Sequence, residues 1–276
     1  MKSIQIKAPA KINIGLNIVC KRDDGFHDLE TFFYPINDLY DELQFEKSDK
    51  FRFICSNEEL AENNLVIKAK ELIEWETNKE FNVNINLIKN IPAGAGLGGG
   101  SSDAAVTLIS LNELFTLQID YKKLIELALQ LGSDVPFFLK AKPSIGRSRG
   151  EDLTICNIEI PYHLLIVNPK IHISTKEAFE NVKPRSSNIN YNDVFSSIDS
   201  FLKNKDKIKN DFEEFAFHKH PEIKKIKEDM LEGGALLAMM SGSGSTVYGF
   251  FNYYSNAASV EKKLPINYLR KISSPD

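Results

Sequence analysis

Cysteine is scarce in this chain: Cys20, Cys55 and Cys156 are the three present, far apart and with no CxxC spacing. That scatter leaves no disulfide framework and no thiolate metal site, and it reads as reduced intracellular thiols, core residues rather than ligands. Long hydrophobic runs are missing too. Nothing approaches the ~20 apolar residues of a membrane span, and a strand-like pattern begins where a signal peptide would need its apolar segment. Positive charge is not in excess: the formal net charge of -4 argues against a general nucleic-acid binder. An anionic small substrate stays open, because a few local amides and cations suffice to hold one. There is no internal repeat, no low-complexity segment and no dense carboxylate cluster for a metal. The expectation is a cytoplasmic protein with neither nucleic acid nor membrane as partner.

What is present is globular. Hydrophobic residues make up 42% and charged residues 26% of 276 positions, enough for one large domain or two ordinary ones, each with a substantial core. Residues 3–20 alternate around Ile12, Ile14, Leu16 and Ile18 and predict a strand. "LYDELQFE" and "FRFIC" predict short strands. Residues 63–75 predict a helix with Leu65, Ala69, Leu72 and Ile73 on one face and Asn64 as N-cap. Residues 81–90 alternate Val83, Ile85 and Leu87 with asparagines, a strand with one polar face. Helices are predicted over 101–116 and Tyr121–Leu131, with Gly132 closing the second.

The character changes around 143–160, where Pro, Gly and Arg cluster. Residues 162–169 then predict a buried strand, Lys- and Asn-rich helices follow, and residues 235–251 read strand, Gly/Ser turn, strand. Strands and helices mix without strict alternation, which predicts an α+β fold. Two domains are expected, 1–155 and 156–276.

The stretch carrying the most chemistry is "IPAGAGLGGGSSDAA", residues 91–105. Its glycines leave backbone N–H groups bare, so a phosphate can approach them. It opens into a helix whose first amides and dipole favour an anion. Ser101 and Ser102 add hydroxyls at that mouth, and Asp103 offers a cap. Several devices share this look. A P-loop needs a lysine after its last glycine, and here Gly99 is followed by Gly100 and Ser101. Gly94, Gly96 and Gly99 satisfy GxGxxG, but in so glycine-rich a run that match is weak, and about 20 residues on the expected acid is replaced by "TLQID". The partner motifs of protein kinases are absent. A glycine-rich turn with no ligand is the remaining alternative.

"PAGAGLGGGSSDAA" resembles the second motif of the GHMP kinases, whose ATP sits in a glycine-rich loop unrelated to the P-loop. "KAPAKINIGLNI" (7–18) resembles the first motif and "MSGSGSTVYGFF" (240–251) the third, in the same order and over nearly the whole chain. The resemblance implies a two-domain α+β fold, with an N-terminal ribosomal-S5-like nucleotide domain and a C-terminal ferredoxin-like α/β sandwich. "KRDDGFHDLETFF" (21–33), "LGSDVPFFL" (131–139) and "GRSRGEDL" (146–153) resemble the branch that phosphorylates the 2-hydroxyl of a CDP-linked methylerythritol in the non-mevalonate isoprenoid pathway. ATP and Mg²⁺ are implied as cofactors.

On that resemblance Asp134 is the base that takes the alcohol proton, and Lys11 is its ion-pair partner and a stabiliser of the transferring phosphoryl. The ATP loop comprises Pro92, Ala93, Gly94, Ala95, Gly96, Leu97, Gly98, Gly99, Gly100, Ser101 and Ser102, with Ser102 a contact to Mg²⁺ or phosphate. Phe26, His27 and Phe179 hold the cytidyl end, two aromatics around the base and the histidine at its polar edge. The family usually has tyrosine where this chain has Phe26, a change that keeps stacking and loses any bond made by the phenol. Asn13 and Thr175 contact the erythritol and diphosphate region, and "SGSGS" (241–245) closes the site. Local sequence offers plainer readings: a helix cap for Asp134, a solvent-facing strand lysine for Lys11, a loop histidine for His27 and a core phenylalanine for Phe179. Rival functions are another small-alcohol kinase of the family, acting on homoserine, mevalonate or a sugar, and a nucleotide-binding protein without catalysis.

Overall fold

The computed structural model describes residues 3–185 and 189–275. Two strands of unusual length open the chain, β1 (Ser3–Lys21) and β2 (His27–Lys47). The chain packs into two compact units, and each takes part of both strands. One unit holds the segment up to Ala10, Ile36–Ala93 and Gly98–Ala141. The other holds Lys11–Pro35, Gly94–Leu97 and the chain from Lys142 onward. The units are therefore interleaved in sequence rather than consecutive.

In the first unit, the far half of β2 pairs antiparallel with β4 (Val83–Ile88), and β3 (Arg52–Cys55) lies parallel on the other edge of β4. Val83, Ile85 and Leu87 are buried while the asparagines between them are half-buried, as period-two alternation requires. Helix α1 (Leu65–Thr77) starts where Asn64 accepts the Val66 amide at 2.9 Å. Helix α2 (Gly99–Leu114) is buried along most of its length, with Ser102, Asp103, Thr107 and Ser110 among its buried residues. Packed on it are α1, α3 (Tyr121–Leu131) and the short α4 (Val135–Phe138).

In the second unit, β7 (His163–Asn168) lies between β10 (Leu269–Ser273) and β9 (Val247–Phe251), and β8 (Leu237–Met240) pairs with β9. All these pairings are antiparallel. The helices are α5 (Thr175–Asn181), α6 (Tyr191–Val194), α7 (Ile198–Asn204), α8 (Glu213–Lys219), α9 (Pro221–Glu232) and α10 (Tyr254–Lys263). Ile223, Ile226 and Met230 of α9 and Val260 of α10 share a core with Leu165, Val167, Val247 and Phe251 of the sheet. The near half of β2 pairs with β5 (Ser144–Arg147), which hairpins to β6 (Asp152–Ile155). These two strands fall in the Pro-, Gly- and Arg-rich stretch where no strand is predicted. Gly146 is needed there, since a Cβ would meet Phe33 Cε2 at 2.5 Å. Among the described residues no helix is long and apolar enough to cross a membrane.

Candidate active site

From Ala10 to Ile18 both faces of β1 are buried. The alternation therefore hides its polar phase along with its apolar one, and Lys11 and Asn13 are each only 3% exposed. Lys11 does not behave as a solvent-facing strand lysine. Its ammonium donates to Asn13 Oδ1 at 2.6 Å and to the Gly96 carbonyl at 3.0 Å, and its backbone N–H donates to the Leu97 carbonyl at 2.9 Å. Asn13 is held on every side. Its Nδ2 donates to Thr31 Oγ1 at 2.9 Å, its N–H donates to Ser241 Oγ at 3.1 Å, and its carbonyl accepts the Tyr248 hydroxyl at 2.9 Å. Ser241 Oγ donates in turn to the Gly96 carbonyl at 2.8 Å.

Parts of all three motifs thus meet within the second unit, at Gly96. That residue has φ +77°, and a Cβ on it would sit 2.1 Å from the Ser241 carbonyl oxygen, so both backbone conformation and space demand glycine. Thr31 and Tyr248 have no place in the sequence reading as site residues, whereas Ser241 belongs to the Gly/Ser turn expected to close the site. The signal of Thr31 and Tyr248 is weak, because each is one polar group in an apolar or small-residue stretch.

The rest of the glycine loop opens α2 in the first unit. Gly98, at φ +72°, caps the helix without a side-chain bond, and the first helical bond runs from Ser102 N to the Gly98 carbonyl at 2.9 Å. The amides of Gly99, Gly100 and Ser101 precede it and lack intrahelical partners. Ser102 is fully buried, and its Oγ has no hydrogen-bond partner. Asp103 does not cap the helix. It lies inside α2, where its Oδ2 accepts the Lys89 ammonium at 2.7 Å, and Lys89 also bonds Asp41. Burial lifts the Asp103 pKa to about 7; Lys89 pulls it down and the nearby Asp41 carboxylate adds to the rise. Burial works against the Lys89 charge, but Asp103 and Asp41 outweigh it, so its pKa stands above the ordinary lysine value.

Asp41 occupies the buried phase of β2, with Leu39, Leu43 and Phe45 on the same face. A carboxylate in that phase is a signal that could have found it. Asp134 stands at the N-cap position of α4, but its side chain makes no capping bond, so the local capping reading is not realised. Among the described residues no group of three or more His, Cys, Asp and Glu could hold a metal.

In the second unit, the turn from β1 to β2 and the turn from β5 to β6 are tied together. Arg22 donates to Asp28 at 3.0 Å and to Ser148 Oγ at 3.1 Å, and the Leu29 amide donates to the Ser148 carbonyl at 2.6 Å. Phe26 is 53% exposed, and the Arg149 guanidinium lies 4.9 Å from its ring centroid. Arg149 is anchored by Glu151, which accepts its backbone N–H at 2.7 Å. The ring of His27 stacks on Phe179, with centroids 5.0 Å apart and planes 20° apart. Phe179 rests edge-on against Phe212. Among the described residues no ring contact joins Phe26 to Phe179. Burial, then the Lys21 charge, lowers the His27 pKa and favours the neutral imidazole. Thr175 Oγ1 lies 2.9 Å from Ser243 Oγ, so α5 meets the Gly/Ser turn.

A family model for the N-terminal domain of the GHMP kinases matches residues 64–142, and one for their C-terminal domain matches residues 197–270. The chain is 39% identical over 265 residues to a 4-diphosphocytidyl-2-C-methyl-D-erythritol kinase of Chlorobium limicola, covering 93% of this chain and 91% of that one. A crystal structure of a 4-(cytidine 5'-diphospho)-2C-methyl-D-erythritol kinase superposes with a TM-score of 0.83 at 29% identity, covering 99% of this chain and 100% of the other. A homoserine kinase from Cytophaga hutchinsonii superposes with a TM-score of 0.77 at 18% identity, over 100% of this chain and 95% of the other, and shares the fold.

Proposed function

The chain belongs to the GHMP kinase family, and from that premise we propose that it phosphorylates the 2-hydroxyl of 4-diphosphocytidyl-2-C-methyl-D-erythritol with ATP. The observation that carries this reading is the near-full-length identity to a kinase bearing that substrate's name. The fold alone would not choose the acceptor, since a homoserine kinase shares it.

Pro92 to Ser102 hold the nucleotide phosphates through bare amides and the opening of α2. The acceptor oxygen attacks the γ-phosphorus, its proton passes to the Asp134 carboxylate, the bond from the γ-phosphorus to the bridging oxygen breaks, and ADP leaves. Lys11 stabilises the charge on the transferring phosphoryl. Asn13 fixes the Lys11 ammonium and, with Thr175, faces the erythritol and diphosphate. The residues fit Mg²⁺ in one respect, the buried and unpartnered Ser102 Oγ at the head of α2. Ser102 would help hold Mg²⁺ bound with ATP, and the ion would supply charge neutralisation at the phosphates.

At the cytidyl end, His27 and Phe179 are already in stacking contact, so they serve as one platform and the base lies against it rather than between them. Such stacking contributes ~1–3 kcal/mol per base, and the neutral His27 ring can read a polar edge. Phe26, with Arg149 over its ring, bounds the same loop. The three cysteines, none in a disulfide, suit a cytoplasmic setting. Incubation with ATP and the CDP-linked alcohol, followed by phosphorus NMR, tests the reading. The expected result is ADP and a new phosphomonoester on the 2-hydroxyl; ATP left intact at high enzyme concentration would overturn it.

A further inference from the structure

We propose that Lys89, together with Asp41 and Asp103, is the positioning clamp of the ATP loop, an inference that rests on reading residues 92–102 as that loop. The residues between the clamp's two ends are mostly glycine and alanine, with almost no side chains to fix their path, so their conformation depends on how the ends are held. Lys89 bridges those ends. Its ammonium bonds Asp41, whose Oδ1 accepts the amides of Asn90 at 2.6 Å and Ile91 at 2.8 Å, the residues just before Pro92. The same ammonium bonds Asp103 at 2.7 Å, the residue just after Ser102.

The entry to α2 is fitted against this group. A Cβ on Gly99 would meet Ile91 Cγ2 at 2.9 Å and Asp41 Oδ2 at 3.2 Å. Two polar atoms at this end of α2 are buried and unpartnered, Ser102 Oγ and Asp103 Oδ1, an arrangement expected where a polar ligand completes the site. Stability alone explains the clamp poorly. All three side chains are withdrawn from water, and a buried ion triad is often no more stable than apolar residues of the same volume. Fixing one register of the loop is a role that an apolar replacement cannot take over.

Lys89→Met leaves two buried carboxylates facing each other and cuts the link between the two ends of the loop. The expected result is a KM for ATP raised about tenfold or more, equivalent to ~1.4 kcal/mol. The KM for the CDP-linked alcohol should stay within about twofold and kcat within about threefold, as expected for lost ground-state binding. Lys89→Arg, which keeps the charge, should restore most of the ATP affinity. Parallel rises in both KM values, or a fall in kcat with the KM for ATP unchanged, would overturn the proposal.

Should Lys89→Met fail to fold, Asp103→Asn carries the test. It should raise the KM for ATP selectively, and a value within experimental error of the unsubstituted chain would overturn the clamp. ATP titration of the unsubstituted chain and of Gly96→Ala separates the two claims. No ATP binding, or full affinity in Gly96→Ala, defeats the ATP-loop reading itself. Normal behaviour there with unaffected Lys89 and Asp103 variants defeats the clamp alone.

Discussion

Lys11 and Lys89 are both lysines withdrawn from water, set against different oxygens. The Lys89 ammonium meets two carboxylates, those of Asp41 and Asp103. Two bonds of the Lys11 ammonium go to Asn13 Oδ1 and the Gly96 carbonyl. Carboxylates hold a lysine proton and fix the group in place, and neutral dipoles add orientation. Burial by itself therefore does not mark a cation for catalysis; where it is tied does, Lys89 to the two flanks of the glycine loop and Lys11 to the Gly96 carbonyl within it.

The sharpest way to break this contrast is to remove the chemistry from one side of it. Asp134→Asn should keep ATP binding and lose turnover by ~10²–10⁴-fold, the range for a positioned general base; near-native turnover in a quench-flow assay would make it a structural residue. Lys11→Met should likewise depress kcat, by ~10²–10³-fold, where Lys89→Met acts on the KM for ATP. If both variants moved the same parameter, the two lysines would not differ in role. Gly96→Ala should cost ~1–3 kcal/mol from its left-handed backbone alone, with a further loss from the collision with Ser241. A lower melting temperature and weakened ATP binding are expected.

Smaller effects belong to the cytidyl end. Phe179→Ala should raise the KM for the CDP-linked alcohol about tenfold, within the ~1–3 kcal/mol of a stacked base, and leave the KM for ATP unchanged. Arg149→Met should be milder still, ~0.5–1 kcal/mol for a half-buried cation over an exposed ring. An equal effect on both substrates would show that these turns stabilise the fold rather than read the base.

Local periodicity carried much of the fold in this chain. The helix Tyr121–Leu131 stands where it is predicted, Asn64 caps α1, and the strand, Gly/Ser turn, strand pattern near the C-terminus becomes β8 and β9. The hairpin of β5 and β6 escaped because its Pro, Gly and Arg residues read as a linker, and the close approach of Phe33 that requires glycine at 146 is not visible locally. The interleaved units escaped too, since period-two alternation in β1 does not say that its polar phase is buried.

For the site, motif order pointed to Lys11, the loop and the Gly/Ser turn, but not to what holds them. Asp41 was legible in principle as a carboxylate in the buried phase of a strand. Lys89 was not, because its partners lie 48 and 14 positions away and nothing local announces a clamp.

The most direct test of the central claim is a side-by-side comparison of kcat/KM with ATP for 4-diphosphocytidyl-2-C-methyl-D-erythritol, homoserine, mevalonate and galactose. The expected result is efficient phosphorylation of the first and little or none of the other three; equal or better turnover of any of those three would contradict it.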